Sequence, residues 1–470
     1  MCGIIGILGA KPVTELLYYA MLQLQHRGQD ASGLFLSDPL LPDPYLRKKS
    51  GWVPNLFSAE EPLPPARIAL GHIRYSTSGK GGLNDAQPLT LKKNGTTFAI
   101  AHNGNLVNYL PLKDLLEKEG TKFQTTCDSE TILHLISQKM ETLSFHSLYS
   151  AIDSLYDHLV GAYSIIGVIT NFGLFALRDP NGIRPLLLGK GKELTAIASE
   201  TLALSNIGCD QIEDIRPGEL VFLDLNGKLH RKVLRSEKHA HCAFEFNYFA
   251  KTHTIMEGKE VYTVRSNLGR MLAEKIRTSI TAPIDVIIPV PETGVPSAIA
   301  LSQELQIPFA EGFIRQQTSG RTFIVAGQEK RTLAAFQKLA PNRSAFKDKS
   351  VLLVDDSIIR GTVSKRTVTL ARSAGAKKVY FASTFPPVLH PCVYGIDFPS
   401  QSQLIAWNRP LPDISLEIGA DAVIYNDIES LKKAIGLPDL CLACMTGRYP
   451  TSTKDMKSLQ ILRESHLLHK

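Results

Sequence analysis

The chain begins with the stretch MCGIIGILGA (residues 1–10), in which a cysteine directly precedes a short apolar strand. If Met1 is removed, Cys2 becomes the amino terminus and carries a thiol and a free α-amine on one carbon. An α-amine with a pKa of about 7.7 to 8.0 can act as a base toward a thiol with a pKa of about 8.5. The stretch therefore indicates a nucleophile with its own base, although a buried small residue is the more ordinary interpretation of Cys2 taken alone.

The composition is that of a globular protein with more than one domain. Hydrophobic residues make up 44% and charged residues 21% of the 470 residues, and this length predicts about two to three domains. No apolar run reaches the roughly 18 residues that a spanning helix needs, and the first residues lack the features of a signal peptide. We therefore expect a cytoplasmic protein without a membrane partner. The net charge of +7 suits small anionic substrates and is too weak to indicate nucleic-acid binding.

Two patterns of secondary structure divide the chain. Residues 2 to about 225 contain many short strands separated by Gly and Asn turns, with a helical pattern at TELLYYAMLQL (14–24). A basic stretch at 227–241 without clear periodicity is the candidate linker. Strands and helices then alternate, which is typical of a parallel sheet flanked by helices. We predict an α+β domain, an α/β parallel-sheet domain and a helical tail, over residues 2–230, 255–435 and 436–470.

The segment AHNGN (101–105) supplies what a nucleophilic cysteine would need next. Attack on a carboxamide gives a thioester and releases ammonia, and its tetrahedral oxyanion requires fixed hydrogen-bond donors. The Asn103 side-chain amide and the Gly104 backbone N–H can provide them. A simple turn is the alternative interpretation of this segment taken alone.

Several segments together closely resemble the class II glutamine amidotransferase domain, an N-terminal-nucleophile hydrolase with four αββα layers. Besides Cys2 and AHNGN they are LQHRGQDASG (24–33), GHIRYSTSG (71–79) and CDSE (127–130). The resemblance implies that Arg74 binds the α-carboxylate of glutamine and that Asp128 binds its α-ammonium group. It also implies that Thr77 supports the site, while His26 and Arg27 organise it rather than react.

A second site is indicated by the segment SVLLVDDSIIRGTVSK (350–365), an apolar strand that ends in two carboxylates and is followed by a small turn and a helix. The turn and the helix N-terminus present backbone N–H groups to a phosphate, and the acids can bind vicinal hydroxyls or Mg²⁺. An exposed strand end is the alternative interpretation of the two acids alone.

This segment resembles the phosphoribosyl diphosphate signature of type I phosphoribosyltransferases. Matches to the same family are PVPETG (289–294), GRTFI (320–324), GQEKR (327–331) and QKL (337–339). The resemblance implies binding of the ribose hydroxyls and Mg²⁺ by Asp355 and Asp356, with Thr293 at the metal. It assigns Ser357, Arg360, Gly361 and Thr362 to the 5′-phosphate. It assigns Arg331 and Lys338, on a loop that closes over the site, to the diphosphate.

A glutaminase domain followed by this transferase domain is the arrangement of the amidophosphoribosyltransferase family. The resemblance implies that ammonia moves inside the protein to C1 of 5-phosphoribosyl 1-diphosphate, giving 5-phosphoribosylamine, glutamate and diphosphate at the start of purine synthesis. It also implies a homotetramer inhibited by purine nucleotides.

Some positions depart from the family pattern, namely KTHT (251–254), Glu292 and RQQTS (315–319). They leave open a divergent relative that hydrolyses glutamine or binds nucleotide but transfers poorly. Another class II amidotransferase is a third possibility, against which the segment VDDSIIRGT (354–362) argues.

The cysteines suggest a metal centre. They number seven, at irregular spacing, which favours catalysis or metal binding over a disulfide framework. CLAC (441–444) taken alone suggests a structural pair or half of a zinc site. The contexts HCAFEFNYFA (241–250), HPCVYGID (390–397) and LCLACMTGRYP (440–450), however, resemble a branch of the family that carries a 4Fe–4S cluster. The implied ligands are Cys242, Cys392, Cys441 and Cys444, with zinc as the alternative metal.

The remaining thiols, Cys127 and Cys209, match no ligand context, and we expect them to be ordinary buried residues. Only Met1 precedes Cys2 in the sequence. We therefore expect trimming by an aminopeptidase rather than autocatalytic removal of a propeptide.

Overall fold

The computed structural model describes residues 1–58, 60–75, 82–315, 339–398 and 400–468. In the first half, two antiparallel sheets are built from the following strands: β1 (Gly3–Gly9), β2 (Ala31–Ser37), β3 (Tyr45–Ser50), β4 (Ile68–Arg74), β5 (Leu89–Lys93), β6 (Thr96–Leu106), β7 (Gly161–Ile169), β8 (Gly173–Arg178), β9 (Leu187–Gly191), β10 (Leu194–Ala198), β11 (Cys209–Asp214), β12 (Glu219–Asp224) and β13 (Leu229–Val233).

The two sheets pack against each other. One has the strand order β11-β9-β10-β1-β4-β2-β3 and the other β13-β12-β8-β7-β6-β5. Apolar side chains from both sheets form a shared core, in which Ile4 and Leu70 of the first meet Ala101 and Ile166 of the second. Gly6 allows this approach, because an added Cβ would lie 2.6 Å from Ile166 Cγ2.

Helices cover the outer face of each sheet. Thr14–Leu24 and Thr201–Ser205 share a core with the first sheet, and Tyr109–Lys118, Ser129–Lys139 and Phe145–His158 share a core with the second. The four layers confirm the predicted αββα fold. The helix predicted at 14–24 forms as expected, and buries Leu17, Met21 and Leu24.

The prediction of a linker at 227–241 is partly wrong. Residues Leu229–Val233 form β13, which pairs with β12 at the edge of the second sheet. An edge strand with half-exposed side chains on both faces needs no apolar alternation, so the basic sequence LHRKV gave no strand signal.

The second half has a four-stranded parallel sheet, as predicted. In their order across the sheet, its strands are β17 (Val286–Pro289), β20 (Ser350–Asp355), β21 (Lys378–Ser383) and β22 (Ala422–Tyr425). Helices Val261–Ser279 and Val295–Leu305 share an apolar core with one face. On the other face lie helices Thr362–Ser373 and Leu411–Ile418, and Arg343–Phe346 contributes to the same core.

Short elements complete the fold. They are the paired strands β14 (His241–Cys242) with β23 (Leu440–Cys441), β15 (Ile255–Met256) with β16 (Lys259–Glu260), and β18 (Phe313–Arg315) with β19 (Leu339–Pro341), and the helices Gln25–Arg27, Val53–Leu56, Glu245–Phe249, Gln401–Gln403, Ile428–Ile435, Ala443–Thr446 and Met456–Leu468. A core between the two halves contains Val107, Phe244, Val393 and Met445. Among the described residues, no helix combines the length and apolar character needed to cross a membrane.

Candidate active sites

A pocket lies where β1, β4 and β6 approach one another in the first half of the chain. Its lining is Cys2, Arg74, Tyr75, Gln87, His102, Gly104, Cys127 and Asp128. The register of β1 against β4 pairs Gly3 with Ile73, which sets Cys2 beside Arg74. Residues that lie far apart in the sequence are therefore brought to one pocket by the pairing of three strands.

The pocket contains buried charges of both signs. The Arg74 guanidinium lies 3.6 Å from the Asp85 carboxylate, and Asp128 accepts the Leu106 backbone N–H at 2.9 Å. Burial would raise the pKa of Asp128, but the adjacent His102 ring and the hydrogen bonds outweigh burial and hold this pKa below its usual value. A guanidinium and an ionised carboxylate in one pocket can bind the two charged groups of an amino acid.

Cys2 lines the pocket with its thiol, and Asn103, which is not among the lining residues, carries an unsatisfied amide between the lining residues His102 and Gly104. Cys2 Sγ lies 3.7 Å from the Tyr75 carbonyl oxygen. The Asn103 side chain is fully buried, and neither its nitrogen nor its oxygen has a hydrogen-bond partner in the described part of the chain. Buried polar groups normally find partners, so this amide is available to a ligand. Gly104 has φ of 149°, and an added Cβ would lie 1.9 Å from the Ala162 carbonyl oxygen.

Three lining residues were given no role by the sequence: Tyr75, Gln87 and Cys127. Gln87 holds the pocket wall together, because it accepts the His102 backbone N–H at 2.7 Å and donates to Ser129 Oγ at 2.9 Å. Cys127 is buried as expected, yet it also faces the pocket; burial and the neighbouring Asp128 raise the pKa of its thiol to about 12. Thr77 lies outside the described residues.

The second site lies at the carboxyl end of β20. Asp355 ends this strand, and the Asp356 carboxylate accepts hydrogen bonds from Thr293 Oγ1 and Ser357 Oγ, both at 2.5 Å. Burial, and repulsion from its neighbour, raise the pKa of Asp355, and burial also raises that of Asp356. Two adjacent buried acids are costly without a countercharge, which makes this a suitable place for a cation.

The turn after the acids has the expected form. Gly361 has φ of +77°, and an added Cβ would lie 2.4 Å from Ile405 Cδ1. Thr362 then begins the helix Thr362–Ser373, so the backbone N–H groups of its first turn are available to an anion. Arg360 lies 3.3 Å from Asp397 and donates to Gln403. Arg331 and Lys338 lie outside the described residues.

The four candidate cluster ligands converge between the two halves. The parallel pairing of β14 with β23 sets Cys242 against Cys441. The Cys444 carbonyl accepts the N–H groups of Leu389 and His390, which brings Cys444 near the segment of Cys392. Burial, and then the neighbouring thiols, raise the pKa of Cys444.

No compact group of sulfur atoms is preformed among the described cysteines. Among the described residues, no three cysteines bring their sulfur atoms within 4.8 Å of one another. Four thiolates on one zinc ion, with Zn–S of about 2.3 Å, would lie about 3.8 Å apart.

A group of side chains near the cysteines has ligand atoms within 4.8 Å of one another: His239, His241 and Glu257. No motif in the sequence indicates this group. Arg178 Nη2, however, donates to Glu257 Oε1 at 2.7 Å. This guanidinium already supplies the positive charge that a metal ion would bring, so we interpret the group as a buried ion-pair cluster.

The two halves meet directly beside the Cys2 pocket. Asn105 Nδ2 donates to the Val393 carbonyl oxygen at 3.1 Å. An added Cβ at Gly395 would lie 3.1 Å from the Gly104 carbonyl oxygen. A segment of the second half of the chain therefore contacts β6 immediately beyond its candidate oxyanion residues.

Comparison with known proteins agrees with this two-site architecture. The model of the glutamine amidotransferase domain matches residues 72–206, and that of the phosphoribosyl transferase domain matches residues 259–387. Together they define a class of glutamine-dependent phosphoribosyl-transferring enzymes. The chain is 39% identical to the amidophosphoribosyltransferase of Escherichia coli, over 98% of this chain and 95% of that protein, and 38% identical to that of Methanothermobacter thermautotrophicus, over 96% and 94%.

A solved structure extends the match to three dimensions. The glutamine phosphoribosylpyrophosphate amidotransferase from B. subtilis, complexed with ADP and GMP, has a TM-score of 0.86 at 35% identity, over 96% of this chain and 98% of that chain. The chain belongs to the amidophosphoribosyltransferase family. It transfers ammonia from glutamine to C1 of 5-phosphoribosyl 1-diphosphate, the first step of de novo purine synthesis. The comparisons give no support to the alternative of a relative that transfers poorly.

Proposed function

We propose that glutamine is hydrolysed in the pocket of Cys2, with Arg74 on its α-carboxylate and Asp128 on its α-ammonium group. The observation that carries this assignment is the lining of one pocket by a thiol, a buried guanidinium and a buried carboxylate. The side-chain amide of glutamine would then lie toward Cys2 and the unpartnered amide of Asn103. Thr77, by family resemblance, supports the same substrate.

The reaction follows from these positions. The Cys2 α-amine, once free, takes the thiol proton, and sulfur attacks the carboxamide carbon while the oxyanion is held by the Asn103 amide and the Gly104 N–H. The C–N bond breaks and nitrogen leaves as ammonia with that proton, which leaves a thioester. Water then cleaves the thioester, which restores the thiol and releases glutamate.

An Asp128→Asn variant tests the assignment of the substrate ammonium. Asparagine keeps the size of the side chain and an oxygen to accept the Leu106 N–H, but it removes the negative charge. We expect KM for glutamine to rise by about 100-fold, because one charged partner of a buried pair is lost. Activity with ammonia as nitrogen donor should stay near the parent value. Unchanged glutamine kinetics would contradict the assignment.

For the second site, we propose that Asp355, Asp356 and Thr293 hold Mg²⁺ and the ribose hydroxyls, and that residues 357–362 bind the 5′-phosphate. The two buried acids and the N-terminus of the following helix support this arrangement. When bound there, Mg²⁺ would neutralise charge on the diphosphate. Arg331 and Lys338 are proposed to close over the diphosphate, on the resemblance alone.

We also propose that Cys242, Cys392, Cys441 and Cys444 hold a 4Fe–4S cluster. Four thiols without a histidine among them suit such a cluster. The cluster would lie in the core shared by the two halves, which contains three of these four cysteines and the fourth packed against them.

Anaerobic purification tests the cluster. We expect a brown protein with about four iron and four sulfide per chain, and loss of both in Cys441→Ser. Cys209→Ser is the matched control, because Cys209 is a buried thiol in a different core. A colourless anaerobic preparation that contains stoichiometric zinc would contradict the proposal.

The remaining proposals concern partners and domains. Purine nucleotides are proposed as inhibitors, since a solved relative is complexed with ADP and GMP. A homotetramer in the cytoplasm follows from the family resemblance, and sedimentation of the purified enzyme tests the tetramer. The domain boundaries 2–230, 255–435 and 436–470 remain a prediction.

A further inference from the structure

The carboxylate of Glu200 is fully buried and connects the two halves of the molecule. Its Oε1 accepts from Arg27 Nε and lies 2.7 Å from His26 Nε2. Its Oε2 accepts the Lys251 backbone N–H at 3.0 Å and Thr254 Oγ1 at 2.7 Å. Burial would raise its pKa, but Arg27 and His26 outweigh burial and hold this pKa far below the usual value. The charge is therefore retained inside the protein at working pH.

On one side, this carboxylate fixes the wall behind the glutamine pocket. An added Cβ at Gly3 would lie 3.5 Å from Arg27 Cβ, so Arg27 packs against the residue that follows Cys2. An added Cβ at Gly28 would lie 2.3 Å from the Arg74 carbonyl oxygen. The segment that Glu200 holds is thus in contact with the backbone beside both Cys2 and Arg74.

On the other side, Glu200 fixes the segment that leads into the transferase half. The Thr254 carbonyl accepts the N–H of Val261, which begins the helix Val261–Ser279. The Lys251 ammonium lies 3.7 Å from the carboxylate of Glu292, which directly precedes Thr293. Asn247, earlier in the same segment, donates to the Asp356 carbonyl oxygen at 3.0 Å. The segment therefore contacts the side chain of Glu292, next to Thr293, and the backbone of Asp356.

We propose that Glu200 is a positioning residue that couples the two half-reactions, through Arg27 toward Cys2 and through Thr254 toward the phosphoribosyl site. A single buried carboxylate with donors from the first half and from the segment that leads into the second can transmit a displacement of one to the other. Removal of the hydrogen bond from Thr254 should leave both half-reactions active. Glutamine hydrolysis should then be faster than transfer of the ammonia to the sugar. This proposal rests on the residue roles proposed above for Cys2 and Asp356.

The test is the Thr254→Val variant, which removes one hydroxyl donor and keeps the size of the side chain. The quantity to measure is glutamate released per diphosphate released with glutamine as nitrogen donor. The balanced reaction fixes this ratio at about 1 in the parent, and we expect about 3 or more in the variant, because a hydrogen bond to a buried charge is lost. Glutaminase activity without the sugar phosphate, and transfer from ammonia, should each stay within about twofold of the parent.

Two further variants separate coupling from general loosening. Thr201→Val removes the acceptor of the Ile255 N–H, a neighbouring contact between the same two segments that does not involve Glu200, and should keep the ratio near 1. Thr254→Ser retains the hydroxyl group, so its ratio of glutamate to diphosphate should also stay near 1.

A ratio of 1 in Thr254→Val, an equal rise in Thr201→Val, or a parallel loss of both half-reactions would each overturn the coupling role. Failure of the proposed function itself would appear separately, as glutamine turnover that survives replacement of Cys2 in the otherwise unaltered enzyme.

Discussion

Replacing Cys2 with alanine is expected to lower glutamine-dependent formation of 5-phosphoribosylamine by about 10⁴-fold or more, since the nucleophile of the glutaminase reaction is removed. The same variant should keep transfer from ammonia within a small factor of the parent, because the acids and the turn of the second site are unaltered. The two activities are read from diphosphate release, with glutamine or with an ammonium salt as nitrogen donor.

The control for this variant is Cys127→Ala. Cys127 lines the same pocket, but burial keeps the pKa of its thiol at about 12, so it stays protonated and should not act as the nucleophile. We expect at most a moderate rise in KM for glutamine, because Cys127 contacts Gln87 and Asp128. Glutamine hydrolysis that persists in Cys2→Ala and disappears in Cys127→Ala would reverse the assignment.

The second large effect is expected at Asp356, where the Asp356→Asn variant should lose transfer from both nitrogen donors by about 10²- to 10³-fold. Thr293 and Ser357 donate to different oxygens of Asp356; asparagine keeps one of these acceptors, and its NH2 group can donate to the other hydroxyl, so most of the loss would come from the missing charge. Glutaminase activity measured without the sugar phosphate should remain.

The stability of this variant provides an independent readout. Because burial raises the pKa of Asp356, its ionised form costs stability in the folded state, and that cost grows as pH rises above the pKa of the unfolded group. Asp356→Asn should therefore melt no lower than the parent at pH 8. A variant that transfers normally would contradict the role of Asp356, and one that is unfolded would contradict the electrostatic account.

Residues within short local motifs were predictable from the sequence. Glycine is required at positions 104 and 361 by the backbone conformation and close packing. Asp355 is the last residue of a buried strand, and Asp356 is the next residue. The chemistry of each position is encoded within a few neighbouring residues, so the resemblance to known families could locate it. The structure then brings Cys2, Arg74 and Asp128 into one pocket, as expected.

Residues whose role depends on pairing across the fold were missed. Glu200 lies in an unremarkable strand-to-helix connection, and its partners come from 50 or more positions away along the chain in both directions. Gln87 likewise acts through His102 and Ser129. A lone polar residue without a motif gives no signal of such contacts, because only tertiary structure decides which buried groups will meet.

The most direct test of the account follows nitrogen from glutamine to the sugar within one molecule. The enzyme is supplied with [amide-¹⁵N]glutamine, 5-phosphoribosyl 1-diphosphate and an excess of unlabelled ammonium at a pH where free ammonia is scarce. The family resemblance implies that ammonia moves inside the protein, and residues 393–395 contact β6 beside Gly104, so we expect nearly all of the 5-phosphoribosylamine formed to carry ¹⁵N. Product that takes its nitrogen from the medium in proportion to the unlabelled pool would contradict the account.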